Sequence, residues 1–154
     1  RGYLKEYAQV LDPFCGVGTM LIERHRLVPA RSMYGVDLYG KAIEMARENT
    51  EAAGCVIHYI NRDFFDFSHE YLFDEIITDM PRISGEEKRR ELERLYENFF
   101  DKALDHLTEE GIMVLYTMEP GLVKQFSRGT YDLLEEFLIN EKNDTRVMVL
   151  RRKK

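Results

Sequence analysis

Residues 12–19 constrain the fold of this chain more than any other stretch, because they place two glycines between two apolar segments of different period. Residues 8–11 form a short apolar run typical of a strand, and residues 20–27 have the spacing of an amphipathic helix. Gly16 and Gly18 allow the backbone to turn sharply between these segments, with no Cβ to hold a ligand away. Unpaired N–H groups at the start of the helix favour an anionic or nucleotide-like ligand. The pattern therefore predicts a strand, a ligand-binding glycine turn and a helix.

Two other interpretations of this turn are open. A dinucleotide-binding fingerprint has a third glycine three residues after Gly18, but that position is Leu21, so the sequence disfavours nicotinamide or flavin binding. The glycines could also form a tight turn that binds nothing. Asp12 before the turn and the helix after it favour the approach of a ligand.

A carboxylate follows the next predicted strand, residues 32–36. Asp37 lies 19 residues after Gly18, close to the spacing of about 20 at which a carboxylate meets a ribose hydroxyl in nucleotide-binding folds. Asp37 is therefore the candidate ribose ligand. The alternative is a solvated carboxylate, or a cap for the helix that begins at Gly40.

A third predicted strand, residues 56–60, leads to a carboxylate beside an aromatic ring. Asp63 can accept a hydrogen bond from an adenine amino group, and the ring of Phe64 can pack on the purine face. Asp66 is a second candidate carboxylate in the same segment, and Phe64 could instead belong to the core.

The fourth predicted strand, residues 73–78, leads to the segment Asp79-Met80-Pro81-Arg82. Residues 12–19 resemble the DPFCGSGT motif of S-adenosylmethionine-dependent methyltransferases that act on amino nitrogens of RNA bases. Residues 79–82 resemble the (D/N/S)-PP-(Y/F) motif of amino-methyltransferases, although two of the four letters differ. With four matching segments in order between residues 10 and 82, the chain is similar to the THUMP-associated putative RNA methylase family.

The resemblance implies S-adenosylmethionine as the cofactor and places Asp12 under its methionine amino group. The residues implied to bind the cofactor are Asp12, Phe14, Gly16, Gly18, Asp37, Leu38, Asp63 and Phe64.

The same resemblance implies that residues 79–82 are catalytic. An aromatic amine is a poor nucleophile, so the enzyme must accept hydrogen bonds from both of its protons and hold the nitrogen in line with the methyl group. Asp79 and the carbonyl of Met80 are the acceptors, and Pro81 fixes their loop. Arg82 stands where the family has an aromatic residue, and its guanidinium can stack on a base or bind phosphate. The alternative for Asp79 is a helix cap.

The remaining pattern predicts a single α/β domain, residues 1–154. Helices are expected at residues 40–53, before Gly54, and at residues 86–107, and a strand buried on both faces at residues 112–116. Two β-rich runs, residues 137–140 and 146–150, flank a turn. The resemblance implies a Rossmann-like class I methyltransferase: a mostly parallel seven-stranded sheet with helices on both faces and an antiparallel C-terminal hairpin.

Composition excludes several classes of protein. The chain has 154 residues, 44% hydrophobic and 32% charged, which fits one soluble domain with its own core. The sequence has no apolar run of membrane-spanning length and no signal-peptide pattern, so we expect a cytoplasmic protein without a membrane partner. Cys15 and Cys55 lack the spacing of a zinc site or disulfide framework, so we expect no metal.

The net charge of −6 is unusual for a protein that binds RNA, because cationic side chains normally supply much of RNA affinity. In the family that the chain resembles, a THUMP-type RNA-binding region precedes the catalytic domain. We therefore expect a C-terminal catalytic fragment that methylates guanine in tRNA or rRNA with an upstream RNA-binding region. A complete small methyltransferase is the alternative. A DNA or protein-glutamine amino-methyltransferase and a non-catalytic cofactor-binding partner are the alternative functions.

Overall fold

The computed structural model describes residues 2–154, in which one seven-stranded sheet has the order β3-β2-β1-β4-β5-β7-β6. The first five strands are parallel, and β7 runs antiparallel to both β5 and β6. This confirms the predicted mostly parallel sheet with an antiparallel C-terminal hairpin. The strands are β1 Gln9–Asp12, β2 Ser32–Asp37, β3 His58–Asn61, β4 Phe73–Asp79, β5 Leu107–Thr117, β6 Tyr131–Asn140 and β7 Thr145–Arg152.

Helices cover both faces of the sheet because successive strand residues point to opposite sides. On β1, Val10 packs with Leu21 of the first helix, whereas Leu11 packs with Phe99 of the third. The helices are α1 Thr19–Leu27, α2 Gly40–Ala53, α3 Lys88–Ala103 and α4 Pro120–Ser127, with a 3₁₀ turn at Phe64–Asp66. No helix within residues 2–154 is both long enough and apolar enough to cross a bilayer.

The third helix corrects the predicted helix at residues 86–107. It ends at Ala103, and Leu107 is already the first residue of β5. Tight turns end the helix, where the N–H groups of Leu104 and Asp105 each donate to a carbonyl three residues earlier. The N–H of Phe73 then donates to the carbonyl of His106 at 2.6 Å, which joins the end of this connection to the start of β4.

A buried ion pair fixes α1 against the sheet. Arg24 and Glu75, at the start of β4, are both buried, and the Nε of Arg24 lies 2.7 Å from a carboxylate oxygen of Glu75. The same guanidinium donates to the carbonyls of Val28 and Lys5. These bonds anchor the helix whose N-terminus forms one side of the glycine turn.

Candidate active site

Three carboxylates meet where neighbouring parallel strands end. Asp12, Asp37 and Asp79 are the last residues of β1, β2 and β4, so all three lie at the edge formed by the carboxyl ends of the strands, here called the carboxyl edge. Ligands of open α/β sheets bind at this edge, beside the point where the strand order reverses. In this sheet the reversal falls between β1 and β4.

A cavity of about 440 Å³, called the first cavity, opens beside Asp12 and Asp79, and Asp37 is not among its lining residues. Four residues predicted from the sequence line it: Asp12, Phe14, Gly16 and Asp79. Six further residues complete its wall: Cys15, Val17, Thr19, Met20, Glu23 and Tyr116. A larger cavity of about 480 Å³, lined by Asp74 and Glu75 among others, lies at the opposite edge of the sheet, away from the strand-end carboxylates.

The two glycines of the turn differ in what surrounds them. Both have positive φ, +51° at Gly16 and +88° at Gly18. A Cβ on Gly18 would collide with the hydroxyl of Tyr59, so this glycine is required by packing within the protein. A Cβ on Gly16 would meet no protein atom within 4 Å, so the open side of the turn is at Gly16.

Asp12 is enclosed beneath the turn, with only 1% of its surface exposed. One of its carboxylate oxygens accepts hydrogen bonds from the N–H of Phe14 at 3.0 Å and from the hydroxyl of Thr78. Burial raises the pKa of Asp12 to about 7, and the nearby carboxylates of Asp79 and Asp37 act in the same direction. Asp12 therefore titrates close to neutral pH.

Asp37 joins the glycine turn to the second strand end. Its two oxygens accept hydrogen bonds from the N–H of Gly16 at 2.8 Å and from the N–H of Tyr39 at 2.9 Å. Leu38, predicted as a cofactor residue, is 57% exposed next to it. The amide of Asn61 donates to the carbonyls of both Asp37 and Leu38 at 3.0 Å, so Asn61 positions this loop. Sequence reasoning missed Asn61, which follows directly after the predicted third strand.

The two residues predicted to hold adenine, Asp63 and Phe64, differ in exposure in the structure. Asp63 is partly buried, and its carboxylate accepts a hydrogen bond from the N–H of Phe65 at 3.0 Å, which begins the 3₁₀ turn. Phe64 is 2% exposed and packs in the core, 5.7 Å between ring centroids from Phe14. This burial favours the alternative that Phe64 belongs to the core, and its packing on a purine stays a prediction. Asp63 as an adenine ligand stays a prediction.

The segment from Asp79 to Arg82 begins at the first cavity and leads away from it. The N–H of Met80 donates to the carbonyl of Tyr116 at 2.8 Å, which ties the segment to β5, and the Met80 side chain is buried. Arg82 lies 3.8 Å from the Asp79 carboxylate and donates from Nε to the sulfur of Met118 at 3.0 Å. Burial raises the pKa of Asp79, and the charge of Arg82 opposes this shift.

Comparison with known proteins adds to this geometry. The model of the UPF0020 family, described as an RMKL-like methyltransferase domain, matches residues 3–138. A tRNA (guanine(10)-N2)-dimethyltransferase of Methanothermobacter thermautotrophicus is 35% identical over 109 residues, which cover 70% of this chain and 32% of that protein. The chain thus spans about a third of the length of this curated relative.

Solved structures show the same fold. The crystal structure of TrmN from Thermus thermophilus matches 96% of this chain and 44% of that chain, with a TM-score of 0.82 and 27% identity. A putative class I S-adenosylmethionine-dependent methyltransferase from Listeria monocytogenes matches 97% of this chain and 55% of that chain, with a TM-score of 0.75 and 15% identity. The predicted class I methyltransferase fold is confirmed. Since the family model covers most of its length, the chain belongs to the UPF0020 family of RMKL-like methyltransferase domains.

Proposed function

We propose that this chain is the catalytic domain of an S-adenosylmethionine-dependent enzyme that methylates the exocyclic amino group of guanine in tRNA or rRNA. The observation that carries the proposal is that Asp79 lines the same cavity as the glycine turn. The family and the named activity of the curated relative support it.

The residues at the carboxyl edge fit this cofactor. The space beside Gly16 leaves room for a ligand, and the exposed Leu38 next to Asp37 offers apolar cover for a base. Asp37 would hold the ribose and Asp12 the methionine amino group. Both Asp37 oxygens retain acceptor capacity beyond their bonds to Gly16 and Tyr39, because a carboxylate has about four lone-pair sites.

When bound, S-adenosylmethionine supplies a methyl group that its sulfonium has already activated. The protein must then hold and orient the amine. Asp79 accepts a hydrogen bond from the amine and takes its proton, a task that its raised pKa favours. The predicted second acceptor is the carbonyl of Met80, whose loop is fixed by its bond to Tyr116 and by Pro81.

We propose that RNA is held by a region outside this chain, of the THUMP type in the family that it resembles. The short share of the curated relative that the chain spans and the net charge of −6 support this proposal.

A non-catalytic cofactor-binding domain is the second candidate function. The observation that favours it is the approach of Arg82 to Asp79, because this ion pair competes for the carboxylate that catalysis requires. The two candidates differ in whether Asp79 matters to methylation.

Mass spectrometry of nucleosides from cells with and without the gene separates them. We expect N2-methylated guanosine to disappear without the gene and to return with wild-type full-length protein. Asp79→Ala should restore about a hundredfold less N2-methylated guanosine than wild type, as expected for a lost transition-state hydrogen bond. The purified variant should keep its affinity for S-adenosylhomocysteine.

Asp74→Ala is the matched control, because Asp74 lies on the same strand at the opposite edge. It should restore wild-type levels. Unchanged guanosine methylation without the gene would overturn the substrate proposal, and full restoration by Asp79→Ala would leave the non-catalytic function.

A further inference from the structure

A second cavity of about 120 Å³ lies beside residues 79–82 and is separate from the first. Asp79 lines the first cavity, whereas Met80, Pro81 and Arg82 line the second. Arg82 of the second cavity lies 3.8 Å from the Asp79 carboxylate of the first, so the two cavities adjoin at this segment, and a group held beside Arg82 can reach Asp79. The remaining lining residues of the second cavity are Ile83, Lys88, Leu92, Tyr96, Met118 and Glu119.

The second cavity has an apolar floor and a charged rim. Met80, Leu92 and Tyr96 are almost completely buried, and the Tyr96 hydroxyl is already bonded to Thr117 at 2.6 Å. The charged lining residues are two cations, Arg82 and Lys88, and one carboxylate, Glu119. A splayed-out nucleobase matches such a surface, because it is a flat ring with hydrogen-bond donors and acceptors on its edge.

Glu119 is held in place at this rim. The hydroxyl of Thr117 accepts a hydrogen bond from its N–H at 2.9 Å, and Arg89 donates to its Oε1 at 3.2 Å. Only 23% of the side chain is exposed. Within residues 2–154, no side chain donates a hydrogen bond to Oε2, so one oxygen of a positioned carboxylate is available to a ligand.

Guanine and adenine present opposite groups to such a carboxylate. Guanine carries an N1–H donor beside its amino group and an O6 acceptor beyond it, whereas N1 of adenine is an acceptor. A carboxylate accepts only, so it pairs with N1–H and repels a bare N1. Arg82 and Lys88 supply donors suited to O6.

We propose that Glu119 selects guanine as the methylated base by accepting a hydrogen bond from its N1–H, while Asp79 accepts from the neighbouring amino group. The inference rests on the proposed function, because it concerns the base presented to Asp79. Arg89 positions Glu119 and does not touch the base.

The test replaces the target guanine by 2-aminopurine, which keeps the amino group but lacks N1–H and O6. The RNA and its methylated position are first identified by mass spectrometry of nuclease fragments from the same cells. This RNA is ligated from synthetic pieces with either base at that position, and the enzyme is the full-length protein. We expect the wild type to prefer guanine by about tenfold or more in kcat/KM, because the analogue leaves Glu119 unpaired.

Two variants give different signatures. Glu119→Gln should lower kcat/KM for guanine and raise it for 2-aminopurine, because the amide can donate to N1. The two values should then lie within about threefold of each other. Glu119→Ala should lower kcat/KM for guanine and raise that for 2-aminopurine less than Glu119→Gln does, because alanine removes the repulsion of N1 without adding a donor. The matched control is Glu93→Gln, which removes the same charge from the other carboxylate bonded to Arg89, outside the second cavity. It should keep the wild-type preference.

The outcomes distinguish the role of Glu119 from the methyltransferase function on which it rests. Absence of guanine methylation by the wild type overturns both. Methylation with a preference that neither Glu119 variant changes, or that Glu93→Gln lowers equally, overturns the role of Glu119 and leaves the methyltransferase assignment standing.

Discussion

At the scale of single residues, folding strongly changes the ionisation of Asp12. It is completely buried and accepts two hydrogen bonds, yet its pKa rises to about 7 because burial disfavours the charged form. The folded protein therefore binds this proton more tightly than the unfolded chain does. The stability that Asp12 contributes is fully present below about pH 4 and is lost as the pH rises through about 7.

Asp12→Asn tests this relation, because the amide cannot ionise but still accepts hydrogen bonds from Phe14 and Thr78. Relative to wild type, the variant should gain free energy of unfolding as the pH rises from 4 to 8, on the order of 3 kcal/mol. Urea unfolding of both proteins across this range measures the difference. Parallel pH dependences would show that Asp12 does not titrate there.

Residues with a fixed place in a motif could be predicted from the sequence, and residues with a partner far along the chain could not. Asp12, Asp37 and Asp79 directly follow predicted strands and end the observed ones, so a parallel sheet brings them to one edge. Two adjacent phenylalanines do not reveal which one faces the core, so the burial of Phe64 could not be decided from the sequence. Asn61 acts through carbonyls on another strand, which no local pattern indicates.

At the scale of elements, the glycine turn makes a prediction that separates folding from binding. Gly18→Ala should destabilise the protein by a few kcal/mol, about 1–3, because its Cβ meets the Tyr59 hydroxyl at a strained φ. Gly16→Ala should cost about 1 kcal/mol, since only its φ is strained, and yet weaken S-adenosylhomocysteine binding at least tenfold.

Thermal unfolding and calorimetric titration of the two variants provide the comparison. Tyr59→Phe in the Gly18→Ala background should recover part of the lost stability by removing the colliding hydroxyl. Unchanged cofactor affinity in Gly16→Ala would show that the open side of the turn is not where the ligand lies.

Helix boundaries show what limits prediction at this scale. The pattern of α2 ended at Gly54, and the structure has the same bounds, residues 40–53. For α3, Leu104 and Leu107 continue the helical spacing, but tertiary pairing with β4 draws them into a turn and a strand. The helix α4 was missed because Pro120 and Gly121 resemble a turn, whereas proline is also favourable in a first helical turn.

At the scale of the whole molecule, ion pairs within the protein further weaken the attraction of this acidic chain for RNA phosphates. Arg24 is buried against Glu75, and Arg82, Arg89 and Arg146 each lie close to carboxylates. These cations are partly neutralised within the protein and contribute less to phosphate binding than their number indicates.

The isolated chain should therefore bind tRNA weakly, with a Kd of roughly 1–100 μM at physiological salt, the range of non-specific binding. Fluorescence anisotropy with labelled tRNA at two salt concentrations measures it, with the full-length protein as the comparison. Nanomolar, salt-sensitive binding by these 154 residues alone would show that the domain itself carries the RNA-binding surface.

The most direct test of the central claim is calorimetric titration of S-adenosylhomocysteine into the chain. We predict binding by the wild type, no heat with NAD, and a loss of about 1–3 kcal/mol in Asp37→Ala, as for a charge-assisted hydrogen bond. Glu44→Ala, which removes an exposed carboxylate of α2, should bind like wild type. Absence of binding by the wild type, or equal affinity in Asp37→Ala, would contradict the assignment of the carboxyl edge as the cofactor site.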